Sequence, residues 1–180
     1  MENIKEEFEE GCKASCNGPY DGKWSKSMFG YGDEDNNFVV ELTYNYGIKE
    51  YKHGNDYNYL EINSSSVFDN IKSLSDYKFE ISSDEASIEL FDPNGYKFKV
   101  LNTNKEVLPQ ISKLSLSTTS LSETEFYWNQ VLNLQLTKKT DNLIQVSFDE
   151  KQTKLEFKIE EKISHETAFG KNFLLVFGNK

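Results

Sequence analysis

A strand, a short helix and then three more strands, met twice in succession, is the pattern that most limits what this chain can fold into. Strand-like runs, alternating or β-branched and bounded by Gly, Asn and Asp, cover residues 24–31, 38–46, 57–63, 78–82, 86–91 and 96–101. Further runs cover 111–118, 134–138, 143–148, 154–160 and 172–177. Two stretches break the rhythm. Val67, Phe68, Ile71 and Leu74 recur at helical spacing after Ser64-Ser65-Ser66; Leu121, Phe126, Trp128, Val131 and Leu132 do so after Ser120, with Glu123 as its capping partner. The order predicts one β-α-β-β-β unit over 57–101 and a second over 111–160. Residues 102–110, with Pro109, read as the linker, and Asp92-Pro93-Asn94-Gly95 as a tight turn between Phe91 and Tyr96.

The expected fold class is therefore α+β, built from tandem units cut short at both ends. Two strands and no helix precede the first complete unit, and one strand follows the second. Domain limits are placed at 1–103, a first module without its opening strand and helix, and 104–180, a partial second module. Open sheet edges of that kind favour self-association.

Charge narrows the partners. With 30 Asp plus Glu against 20 Lys plus Arg, the net charge of -10 repels phosphate backbones and anionic lipid. Neither nucleic acid nor membrane is expected. No run approaches the ~20 apolar residues of a membrane helix, and residues 2–10 have the character of neither a signal nor a transit peptide. The expected setting is cytoplasmic, or mitochondrial for a full-length form. Cys12 and Cys16, with three residues between them, match neither a redox C-x-x-C nor a zinc half-site and read as reduced thiols. His53 and His165 lie in polar loop contexts with no triad spacing and read as surface histidines.

The run Gly30-Tyr31-Gly32 followed by Glu41-Leu42-Thr43-Tyr44-Asn45-Tyr46-Gly47 resembles the glyoxalase I family of vicinal oxygen chelate proteins. Tyr51, Gly54, Tyr57 and the hairpin Asp92-Pro93-Asn94-Gly95-Tyr96-Lys97 extend the likeness. Residues 6–14 and 17–26 look closer to a divergent branch with tandem glyoxalase-like modules. The resemblance implies paired β-α-β-β-β units around a cleft. In that superfamily the cleft holds a divalent ion on carboxylate and imidazole ligands, which stabilises an enediolate during isomerisation of a glutathione hemithioacetal.

Carried over residue by residue, the resemblance places Glu41 at a glutamate ligand position and Asn45 at a glutathione-contacting one. Tyr59 falls where the family has His, and Lys99 where it has a second Glu. In the second cleft Glu156 corresponds to Glu41, with Lys113 and Lys171 at the flanking ligand positions. A protonated Lys is no metal ligand and a neutral phenol is a weak one. Ion pairs, Glu41 with Lys99 and Glu156 with the two lysines, are expected in place of the metal. The plainer roles are a strand-end carboxylate for Glu41 and a turn-forming Asn45 beside Gly47.

These residues imply a glyoxalase-like protein with a degenerate metal site, acting as a non-catalytic binding or interaction module for a small polar molecule or a protein, with no cofactor. The alternative is a metal-dependent, glutathione-linked lyase or isomerase of the lactoylglutathione lyase type in the full-length form, with Zn or Ni held through Glu41.

Overall fold

The structure is a computed structural model and describes residues 3–14, 16–33, 35–103, 109–166 and 173–176. The chain divides into two compact units, residues 1–55 with 164–180, and residues 56–163. Among the described residues no helix is long and apolar enough to cross a membrane.

The first unit is a four-stranded antiparallel sheet. Its strands are β1 (Asn3–Phe8), β2 (Trp24–Gly30), β3 (Val39–Asn45) and β12 (Phe173–Val176), in the order β1-β2-β3-β12. The sequence pattern predicts two strands before residue 57, whereas the structure has three. The extra strand, β1, is hidden by its glutamates, whose charge hydropathy patterning scores against a strand. Glu6 is in register with Lys26 of β2 and lies 2.9 Å from it, and Glu7, with Glu9 just past the strand, shares Lys23 on the residue before β2. Phe8 stacks on the buried Trp24 at 4.3 Å, so the strand also gains an apolar anchor.

Cys12 and Cys16 are bonded to one another, their Cα atoms 5.5 Å apart, which corrects the expectation of two reduced thiols. Their loop doubles back because the Asn17 side chain reaches inside it, accepting the Cys12 N–H at 2.9 Å and donating to the Tyr20 carbonyl. Spacing alone does not reveal such a reversal.

The second unit is one eight-stranded mixed sheet with the order β5-β6-β7-β4-β8-β11-β10-β9. The first half comprises β4 (Tyr57–Asn63), α1 (Ser65–Lys72), β5 (Phe79–Ile81), β6 (Ser87–Phe91) and β7 (Lys97–Leu101). The second comprises β8 (Ile111–Thr118), α2 (Leu121–Glu125), β9 (Gln135–Lys139), β10 (Leu143–Ser147) and β11 (Lys154–Ile159). In each half the first strand runs parallel to the last, and β4 meets β8 antiparallel at a central seam. The limit expected at 103/104 thus falls inside this unit, because the seam joins both halves into a single sheet.

The turn between β6 and β7 forms as its residues require. Gly95 adopts φ of +90°, the Asp92 carboxylate accepts the Tyr96 N–H at 2.8 Å, and Asp92 N–H closes onto the Tyr96 carbonyl. Both helix caps form as well: Ser64 Oγ accepts from Val67 N–H, and Ser120 Oγ from Glu123 N–H. Helix α1 buries Phe68 and Ile71 against Ile88 and Val100. Leu74, expected on the same face, lies past the helix end and is exposed.

The second helix departs from expectation. Beyond Glu125 its turns widen to π geometry over Phe126–Val131, which shifts the apolar positions off the single face that a period of 3.6 would give them. Phe126 is 63% and Val131 55% exposed, while Trp128 packs on Phe157 of β11.

Candidate functional site

Alternation along the strands divides the large sheet into two faces. Ile62 of β4 and Val100 of β7 pack on the α1 side. Tyr59 and Glu61 of β4 must then project from the opposite face, as Lys97 and Lys99 of β7 do.

The seam brings these positions against the second half. Tyr59 lies opposite Ser115 of β8, and Ser115 lies beside Glu156 of β11. Three side chains stand abreast across three strands. Glu156 is 3% exposed and heavily engaged: Oε1 accepts from the Tyr59 hydroxyl at 2.9 Å and the Ser115 hydroxyl at 3.0 Å, and Oε2 from the Gln145 amide at 2.6 Å. Lys113 Nζ lies 3.9 Å from Oε2, and Lys158 Nζ 3.6 Å from Oε1. Lys113 also bonds Glu61 at 3.3 Å; Glu61 is 6% exposed and accepts from Ser112 Oγ at 3.0 Å. The Tyr59 ring has Lys158 Nζ 4.9 Å from its centroid and Lys113 Nζ 5.9 Å from it.

Electrostatics follow from this packing. Burial alone would push the Glu156 carboxyl up, but the hydrogen bonds from Gln145 and Tyr59, the Lys113 charge and Ser115 outweigh it and hold the group below the ordinary carboxylate range. Burial pushes the Tyr59 phenol up, and the adjacent Glu156 charge pushes it further. Glu156 is therefore held ionised and Tyr59 neutral, so each stabilises the other's protonation state.

Of the residues singled out from the sequence, the structure brings Tyr59, Lys113 and Glu156 into contact. Lys99 shares their face, in register with Glu61 on one side and Glu89 on the other. Glu41 and Asn45 belong to the first unit. Glu41 is buried on β3, in register with Met28 and Leu174. Asn45, 1% exposed, opens the expected turn, its carbonyl accepting the Ile48 N–H at 3.3 Å past Gly47 at φ of +84°, while its side chain accepts from the Asn17 amide at 2.9 Å and donates to the Tyr51 hydroxyl at 3.3 Å. Lys171 lies outside the described residues.

Sequence reasoning passed over Glu61, Ser115, Gln145 and Lys158. Three of them carried a signal, since Glu61, Ser115 and Lys158 sit two residues from Tyr59, Lys113 and Glu156 and so share their face. Gln145 carried none, because only the β10–β11 register sets it beside Glu156. Among the described residues no three His, Cys, Asp or Glu side chains converge as a metal-binding group.

Residues 120–176 match the family model described as Glyoxalase domain-containing protein 4-like, C-terminal domain. The chain is 40% identical over 169 residues to glyoxalase domain-containing protein 4 of Rattus norvegicus, an alignment covering 92% of this chain and 56% of that protein. It is 39% identical over 176 residues to glyoxalase 1 of Caenorhabditis briggsae, covering 97% and 60% respectively. The chain thus spans little more than half the length of these relatives. Among solved structures, glyoxalase I from Zea mays superposes with a TM-score of 0.65 at 21% identity, over 91% of this chain and 62% of that one, a likeness of fold.

Proposed function

The chain belongs to the glyoxalase-like proteins of the glyoxalase domain-containing protein 4 type, and from that premise we propose that its eight-stranded sheet is a non-catalytic binding module with a degenerate metal site. The reading is carried by one observation, the engagement of both oxygens of Glu156 with Tyr59, Ser115 and Gln145. A divalent ion there would have to displace neutral donors from a buried carboxylate. It would also face Lys113 and Lys158 within 4 Å of the same oxygens. Unit charges that close interact by about 4 kcal/mol at an effective dielectric of 20, and a doubly charged ion by about twice that. The ligands implied by the resemblance at the neighbouring positions are a phenol and an ammonium, neither of which offsets such repulsion.

The sheet face instead supports recognition of a small polar molecule or a protein. Relatives named glyoxalase 1 and lactoylglutathione lyase keep a second reading in play, that of a metal-dependent lyase in a longer chain. Calorimetric titration with Ni²⁺, Zn²⁺ and Mn²⁺, beside a hemithioacetal isomerase assay, separates the two. The binding-module reading expects neither saturable metal uptake nor turnover. Stoichiometric uptake accompanied by turnover would establish the lyase.

A further inference from the structure

Near the β5 edge of the large sheet, on the face opposite α1, an aromatic ring stands among charged side chains. A cleft of about 290 Å³ opens there over β5, β6 and β7, with Lys78, Glu80, Glu89, Phe91 and Lys97 among its walls. Ligand pockets run from about 300 to 1,000 Å³, so this one has room for a single-ring molecule. Register explains the grouping. Phe91 of β6 pairs with Lys97 of β7, and Glu89 of β6 pairs with Glu80 of β5. Ile88 and Val100 pack on the α1 side, so by alternation Glu80, Glu89, Phe91 and Lys97 share the other face. Lys78 immediately precedes β5 and, two residues before Glu80, comes level with Phe91 on the side away from Lys97.

Much of this wall is fixed before any ligand arrives, which lowers the ordering cost of binding. Phe91 and Lys97 flank the turn that Asp92 closes, its carboxylate accepting the Asn94 N–H at 2.9 Å and the Tyr96 N–H at 2.8 Å. The Tyr57 hydroxyl donates to the Lys97 carbonyl at 2.6 Å, and Lys97 Nζ holds Glu89 Oε2 at 2.6 Å. The Phe91 ring is nonetheless 58% exposed. Lys78 is exposed too and has no carboxylate within ion-pairing distance among the described residues, so its ammonium is the cation of the cleft left over for a ligand. Glu80 and Glu89 lie directly opposite one another, and Lys97 offsets only one of these two charges. An organic cation would meet two ammonium groups in the cleft. A dianion would meet the uncompensated Glu80.

We infer that this cleft binds an aromatic monocarboxylate, its ring against Phe91 and its carboxylate on Lys78 Nζ. The ring gains an offset or edge contact with Phe91, and the carboxylate accepts from an ammonium that has three donors to offer. Glu80 sets the limit at one negative charge. The inference deepens the binding-module reading and rests on it, in taking this face to bind its ligand without a metal.

The full chain is titrated at low ionic strength with benzoate, cyclohexanecarboxylate and the dianion phthalate, followed by calorimetry and by NMR of the Phe91 ring. Saturable binding of benzoate is expected, weakening as NaCl is added, with the other two acids bound less tightly. Lys78→Gln and Phe91→Leu should each weaken benzoate binding by about fivefold. Lys72→Gln, on α1 and therefore on the other side of the sheet, should leave it unchanged. Lys78→Gln removes no ion pair, so its result stands even where Phe91→Leu lowers stability. No saturable binding of benzoate, equal binding by Lys78→Gln and Lys72→Gln, or phthalate or cyclohexanecarboxylate bound as tightly as benzoate overturns the inference. Failure of benzoate to bind, with no metal taken up, removes the cleft and leaves the binding-module reading standing; stoichiometric metal uptake with turnover defeats that reading whatever benzoate does.

Discussion

Tyr59 of β4 donates its hydroxyl to Glu156 Oε1 of β11 at 2.9 Å, crossing the β4–β8 seam and the width of β8. The two residues come from different halves of the sheet, so this bond reports directly on how the halves are joined. Tyr59→Phe keeps the ring beneath Lys158 and removes the donor. Hydrogen bonds to charged groups contribute about 1.5–3 kcal/mol, and a loss of that size is expected in urea unfolding. An unchanged midpoint would mean that Ser115 and Gln145 alone satisfy Glu156.

Lys113 stands 3.3 Å from Glu61 and 3.9 Å from Glu156, both buried. Lys113→Met fills the same space without the charge and leaves two carboxylates short of a counterion. Breaking a buried ion pair from one side costs about 3–5 kcal/mol. The double variant Lys113→Met/Glu61→Met should recover part of that loss. Recovery is the discriminating result, because simple loss of packing would make the double variant worse.

Stability should fall at both ends of the pH scale for identifiable reasons. The Glu156 carboxyl is lowered in the fold, so its contribution is present above the unfolded value of about 4.3 and is lost as pH falls through the folded one. The Tyr59 phenol is raised, so its contribution is present below about 10 and is lost as pH rises through the folded value. Denaturant midpoints followed across both ranges should show Glu156→Gln flattening part of the acid limb, since Glu7, Asp84 and Glu89 are lowered as well. Tyr59→Phe should flatten only part of the alkaline limb, since burial raises Tyr57 too.

In the first unit, Asn17 and Asn45 are buried and share a hydrogen bond of 2.9 Å. Either residue changed to Ala strands a buried amide, at a cost of about 1–3 kcal/mol. A double-mutant cycle should return coupling of at least about 0.5 kcal/mol. Additive losses would show that the two amides act independently.

Local chemistry made much of the fold legible. Ser64 and Ser120 marked the helix starts, and Asp92 with Gly95 marked the hairpin, because each acts within a few residues of itself. What stayed hidden depends on residues far apart in the chain. The strand at Asn3–Phe8 forms because Glu6 finds Lys26, and the Tyr59–Glu156 contact exists because β4 and β8 pair in one particular register, interrupted by irregularities between Tyr57 and Tyr59 and between Glu61 and Ile62. The bond between Cys12 and Cys16 likewise needed the loop reversal that Asn17 imposes. The candidate site shows the same division: period-two spacing identifies the face, but only the tertiary register says which carboxylate sits beside which lysine.

The strand order of the second unit also has a consequence in time. Each parallel pair, β4 with β7 and β8 with β11, closes a length of chain that contains its own helix and hairpin, and the seam joins strands from separate halves. Loops of that kind delay productive collapse, since chain entropy is lost before long-range contacts return it. The Glu61–Lys113 ion pair and the Tyr59–Glu156 hydrogen bond link strands from separate halves, so both require β4 to pair with β8. The desolvation of this charged cluster is thereby tied to the pairing of β4 with β8, which joins distant stretches of the chain.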